Sequence, residues 1–179
     1  MSERPTAAAH RVVKEAVKPG EMVVDATAGN GHDTLFLAEW VGPTGKVVAF
    51  DIQQAAIEST RRRLDKAGVV DRVDLHGESH THMAQRVERG GVAAVMFNLG
   101  YLPGADHALI TQTEETLLAL ETAVALLRSG GVVSVVCYPG HEGGDREAAA
   151  VVEWADARGG VVYPQAREGA PFLVVLRAD

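Results

Sequence analysis

The stretch DATAGNGHDT, residues 25 to 34, decides the fold. An acid closes the apolar run MVV, two glycines flank an asparagine, and HDTLFLAEWV follows with helical character. Strand, glycine turn and helix in that order open an α/β unit, and in an open sheet of such units ligands bind beyond the carboxyl ends of the strands. Gly29 and Gly31 allow positive φ and close backbone approach, and the amides of the first helical turn, His32 to Leu35, favour an anionic group. Gly29, Asn30, Gly31 and Asp33 are therefore the first candidates for ligand contact.

Working outward, short valine-rich runs alternate with longer helical segments along the whole chain. Strands are predicted over 22–27, 46–52, 72–77, 92–99, 131–138, 160–165 and 171–178, and helices over 32–41, 54–68, 80–88, 113–131 and 145–159. Most of the strands are near-continuous apolar runs, as expected when both faces of a sheet are covered. Little more than REGA separates the last two strands, which suits a hairpin. The pattern predicts a doubly wound, seven-stranded, mostly parallel α/β sheet with an antiparallel edge strand, in a single domain over residues 1–179.

Composition narrows the function classes. With 46% apolar and 23% charged residues, the 179-residue chain can bury a real core. Residues 1–13, MSERPTAAAHRVV, hold no apolar signal segment, and no run is long enough to span a bilayer, so a cytoplasmic protein is expected. The single cysteine, Cys137 in VVSVVCY, excludes an internal disulfide and a cysteine-based zinc site and reads as a buried thiol. His80 and His82 form an H-x-H pair with no evident third ligand, so no metal is expected. A net charge of −7 means that a polyanionic partner requires a local basic patch. Arg61, Arg62, Arg63 and Lys66 would spread around the exposed side of a helix.

The turn itself argues against a dinucleotide. That fingerprint wants a third glycine where Thr34 stands. Asp25 and Asp33 are unfavourable beside a pyrophosphate but suit the amino group of an amino-acid moiety, such as that of S-adenosylmethionine. Asp51, at the end of the second strand, can accept both hydroxyls of a ribose, with Gln53 flanking the adenosine. It could equally cap the helix that begins at Gln54. After the third strand, Ser79 or His80 of GESH could hydrogen-bond the adenine amine.

Four stretches carry a resemblance to a known family: DATAGNGHDTLFLA (25–38), FDIQ with the residues that follow it (50–60), FNLGYLPGADH (97–107) and YPGHEGGDRE with Trp154 beyond it (138–154). They resemble the small bacterial class I methyltransferases called rRNA methylases, and together they span nearly the whole chain. The resemblance implies S-adenosylmethionine as cofactor, with Gly29, Asn30, Gly31, Asp33, Asp51, Gln53, Ser79 and His80 around it. It also implies methylation of the amine of 5-aminomethyl-2-thiouridine at the tRNA wobble position, with the anticodon arm as partner. Asn98 to Gly104 looks like a variant of the Asn-Pro-Pro-Tyr loop of amino-methylating enzymes, with Leu and Gly in the middle. That departure weakens transfer of the adenine or cytosine mechanism. Where the family more usually has Gly and Lys, this chain has Ala105 and His107.

Methyl transfer from a sulfonium asks for a neutral amine held in line and shielded from water. Asn98 is the expected orienting residue, Tyr101 a stacking or proton-relay residue, and His141 a further candidate for contacting the base or accepting a proton. RNA binding by an acidic chain suggests a homodimer that assembles a shared basic surface from Arg11, Lys14, Lys18, Arg61 to Arg63 and Arg86. Rivals stay open at this point: rRNA, a small-molecule amine or a protein as acceptor, or a non-catalytic nucleotide-binding module.

Overall fold

The computed structural model describes residues 3–100, 113–141 and 143–179. Its strands are β1 (Met22–Asp25), β2 (Lys46–Phe50), β3 (Val73–His76), β4 (Val92–Asn98), β5 (Leu127–Cys137), β6 (Val161–Val162) and β7 (Phe172–Arg177). The helices are α1 (Pro5–Ala16), α2 (His32–Val41), α3 (Gln54–Ala67), the single-turn α4 (Met83–Arg86), α5 (Thr113–Leu126) and α6 (Gly144–Asp156). One seven-stranded sheet runs in the order β3-β2-β1-β4-β5-β7-β6. Strands β1 to β5 pair in parallel, and β7 is antiparallel to both of its neighbours. The expected hairpin closes one edge, with the short β6 outermost.

The strand order positions the site. The chain moves outward from β1 through β2 to β3, then returns to lay β4 on the other side of β1. Helix α2, which follows β1, and α5, the next described helix after β4, cover opposite faces of the sheet, so a crevice is expected at the carboxyl ends of the two strands. Alternate residues of the central strands feed two cores. Val24, Val48, Phe50, Val95 and Phe97 meet Leu120, Leu126, Val151 and Trp154 on one face. On the other, Val23, Val47, Ala94 and Met96 meet Val12, Val13, Leu37 and Leu64. Cys137 is buried in the first core, where burial pushes its thiol up to about 12.

Three elements depart from the pattern reading. Helix α1 was not expected; Pro5 occupies its first turn, and Ala8, Ala9, Val12 and Val13 form the buried face that covers the sheet. The helix expected over 80–88 is a 3-10 turn, His80–His82, followed by α4. The long helix expected to run to Gly131 stops at Leu126, because Leu127 already pairs with Val92 as the start of β5.

Candidate active site

The glycine turn is shaped from behind by α3. Gly29 and Gly31 have φ of +54° and +78°, and a Cβ on Gly31 would lie 2.8 Å from the Cα of Thr60. Only glycine fits there. Thr60 Oγ1 donates to the Gly29 carbonyl (3.1 Å), Arg63 Nε to the Asn30 carbonyl (2.7 Å), and Ser59 Oγ to Asn30 Oδ1 (3.1 Å). From the end of β2, Asp51 accepts the Gly29 amide on Oδ2 and the Gln53 amide on Oδ1, both at 2.9 Å. Asp51 thus joins two loops across the crevice, and each of its oxygens keeps a second lone pair. The alternative reading made Asp51 the cap of α3, but the N-cap is Gln53, and Asp51 holds only the Gln53 amide.

Two acids of the turn have separate roles. Asp25 was expected on the ligand side, but it is fully buried beneath the turn and faces inward. Its Oδ1 accepts the Thr27 amide at 3.1 Å and its Oδ2 the Thr34 hydroxyl at 2.6 Å. Burial first, and then the charges of Asp33 and Asp51, push this carboxyl up to about 7 against the opposing hydrogen bonds. Asp33, on the first turn of α2, reaches the crevice. Its Oδ1 accepts from His10 Nε2 at 2.6 Å and its Oδ2 from Asn98 Nδ2 at 3.1 Å.

Asn98 closes β4 with its backbone amide donated to Thr27 Oγ1 at 2.7 Å. Its side chain faces the Tyr138 phenol, whose ionisation is pushed up by burial and by the charge of Asp33. The middle of α1, the first turn of α2 and the ends of β4 and β5 therefore converge on one polar site. Ser79 caps its 3-10 turn, accepting from the amide and hydroxyl of Thr81 at 3.2 and 2.9 Å. His80 turns inward, donating Nδ1–H to the Ala26 carbonyl at 3.1 Å with its ring edge-on to Phe97; burial holds its pKa below the ordinary histidine value. His82 lies instead 3.5 Å from Glu78, so the two members of the H-x-H pair face different partners.

His141 sits where α6 begins. Its carbonyl accepts the Gly144 amide at 2.9 Å, and a Cβ on Gly144 would lie 2.5 Å from its Nε2. Nearby Glu147 is buried, accepts the Thr116 hydroxyl at 2.6 Å, and has its pKa raised by that burial. Tyr101 lies outside the described residues. Sequence reasoning missed His10, Thr60 and the role of Arg63, which it placed on a solvated face. For His10 the available signal was the proline-started, alanine-rich segment around it.

A parallel sheet in this order with an antiparallel β7, a glycine turn after β1 and an acid after β2 define the class I methyltransferase fold, whose members use S-adenosylmethionine. Residues 47–158 match the family described as "Putative rRNA methylase". The chain belongs to that family. It is 44% identical over 160 residues to a chloroplastic tRNA (mnm(5)s(2)U34)-methyltransferase of Arabidopsis thaliana, an alignment covering 84% of this chain and 58% of the plant protein. Among solved structures, an rRNA-methylase of Clostridium thermocellum is similar at 38% identity and a TM-score of 0.92, covering 99% of this chain and 98% of the other. A methyltransferase of Streptococcus mutans, solved with SAH, is similar at 32% identity and a TM-score of 0.86, covering 99% of both chains.

Among the described residues, no helix is long and apolar enough to cross a membrane.

Proposed function

We propose that this chain transfers a methyl group from S-adenosylmethionine to the amine of 5-aminomethyl-2-thiouridine at the tRNA wobble position. The observation that carries the reading is the placement of Asn98 at the end of β4, pinned to Asp33 beside the glycine turn. Identity to the chloroplastic wobble-uridine enzyme supports the choice of acceptor.

The residues present suit the cofactor. Gly31 permits no side chain, and the clamp on the Gly29 and Asn30 carbonyls keeps them turned toward α3. Asp51 would take the ribose hydroxyls on its remaining lone pairs, with Gln53 beside it. Asp33 would face the cationic amino-acid end, with Gly29, Asn30 and Gly31 lining the approach. Ser79 and His80 border the adenine side. Asp25 supports the turn from below.

The bound sulfonium supplies an activated methyl group, and its displacement by an amine needs alignment more than covalent catalysis. Donation from Asn98 Nδ2 to Asp33 fixes the amide orientation, leaving Oδ1 to accept from the incoming amine. Burial of the site would oppose the ammonium form and so favour the neutral amine that such a transfer requires, while Oδ1 would orient it. Tyr101 and His141 keep the base-contacting roles proposed from sequence. A cytoplasmic homodimer fits the same reading, because two copies would double the exposed Arg61 and Arg62.

Transfer of labelled methyl groups to purified tRNA, rRNA and protein tests the acceptor class; label on rRNA or protein alone would contradict the reading. Asn98→Ala should cut turnover about 100-fold, the scale of removing one positioned polar group. The fall is read at saturating S-adenosylmethionine, because the variant also removes a donor from Asp33 and weakens cofactor binding. Unchanged turnover would remove Asn98 from the mechanism.

A further inference from the structure

His10 reaches the site from α1, an element that precedes every strand of the sheet. Its ring lies flat on Phe36, with centroids 3.8 Å apart and planes within 6°. Lys14, one turn along the same helix, places its ammonium 5.6 Å from the Phe36 centroid and 5.2 Å from that of Trp40. The stack fixes the imidazole, and the imidazole fixes Asp33 through the 2.6 Å bond from Nε2 to Oδ1. Asn98 holds the other oxygen.

Asp33 shares the floor of the crevice with Asp25, and each charge disfavours the other. Burial makes Asp25 the member that keeps a proton. His10 and Asn98 between them reach both oxygens of Asp33. Whether its charge is available to a ligand depends on the imidazole. A neutral ring with Nε2–H orients the carboxylate and leaves its charge uncompensated, whereas an imidazolium cancels it. The charged or titratable groups facing this pair among the described residues are Lys14 from α1, Asp25 from β1 and Tyr138 after β5.

We propose that His10 is a positioning residue for the cationic amino-acid end of S-adenosylmethionine, presenting Asp33 to that ammonium when neutral and competing with it when protonated. The inference rests on the cofactor reading above. It makes cofactor affinity depend on the protonation state of the imidazole, weaker when the ring is charged.

Calorimetric titration of S-adenosylmethionine from pH 5.5 to 8.5 tests it on the wild type, His10→Gln and His10→Ala, with circular dichroism confirming that each is folded. Wild-type affinity should weaken about tenfold toward the acid end. His10→Gln keeps an N–H donor but does not titrate, so it should match the wild type at pH 8 and stay flatter below. His10→Ala loses the donor and should bind about tenfold more weakly at pH 8. An acid limb that persists unchanged in His10→Gln, or wild-type affinity in His10→Ala, would overturn the proposal while leaving the cofactor reading intact. A wild type that binds no S-adenosylmethionine at any pH would sink both.

Discussion

Asp25 shows how a single group can support a site without facing it. It has no exposed surface, and both oxygens are held within the turn. Because its folded pKa, about 7, lies above the usual aspartate value, the folded state binds a proton that the unfolded chain releases. Its contribution to stability is therefore fully present below about pH 4 and is lost as pH rises through about 7. In Asp25→Asn, chemical denaturation at pH 5 and pH 8 should show a smaller fall in stability than in the wild type. Equal falls would show that this carboxyl does not titrate as its burial demands. Gly31→Ala should cost about 1–3 kcal/mol of stability, because φ of +78° and contact with Thr60 both oppose a side chain. Calorimetric titration should show its cofactor affinity lost along with the turn geometry. The need for glycine at 31 was legible, since it follows from local chain geometry, whereas Asp51, read as a ribose acceptor or a helix cap, bonds the Gly29 amide 22 residues away. The inward turn of Asp25 was not legible. Thr34, read only as a missing third glycine, is the residue that pins it.

The elements that carry the site depend on contacts distant in sequence. Helix α3 clamps the turn through Ser59, Thr60 and Arg63, a role hidden within a run of arginines that looked like a solvated face. Arg61 and Arg62 are exposed as expected; Arg63 is not. Helix α1 was missed although Pro5 and the spacing of Ala8, Ala9, Val12 and Val13 fit an amphipathic helix. Its partners on β5 and β7 come from the far end of the chain. Arg128 makes that link explicit, donating to both oxygens of Glu21 at 2.7 and 2.8 Å and to the Ala16 carbonyl at 2.8 Å. Arg128→Ala should lower stability by about 1–3 kcal/mol in urea denaturation, since partly buried Glu21 and the end of α1 both lose their donor. A change within error of zero would mean that α1 is held by its apolar face alone.

For the molecule as a whole, the difficulty is gripping RNA with a net charge of −7. The ion pairs sharpen it. Arg11 lies against Glu3 and Glu15, and Arg86 against Glu78, so two members of the expected basic surface are already neutralised. Arg146, Arg158 and Arg177 are also paired with glutamates. Arg61, Arg62 and Lys14 form none of the ion pairs among the described residues, which leaves positive charge on the exposed side of α3 and on α1. The doubly wound, mostly parallel sheet could be anticipated because alternating strands and helices constrain topology strongly. The meeting of α1 with the ends of β4 and β5 could not, because it requires the assembled sheet. The central claim is the acceptor, and one measurement reaches it directly: purified protein is incubated with S-adenosylmethionine and tRNA bearing unmethylated 5-aminomethyl-2-thiouridine, followed by nucleoside mass spectrometry. This nucleoside should gain one methyl group, converting to 5-methylaminomethyl-2-thiouridine. An unchanged nucleoside, from protein that binds S-adenosylmethionine under the same conditions, would contradict it.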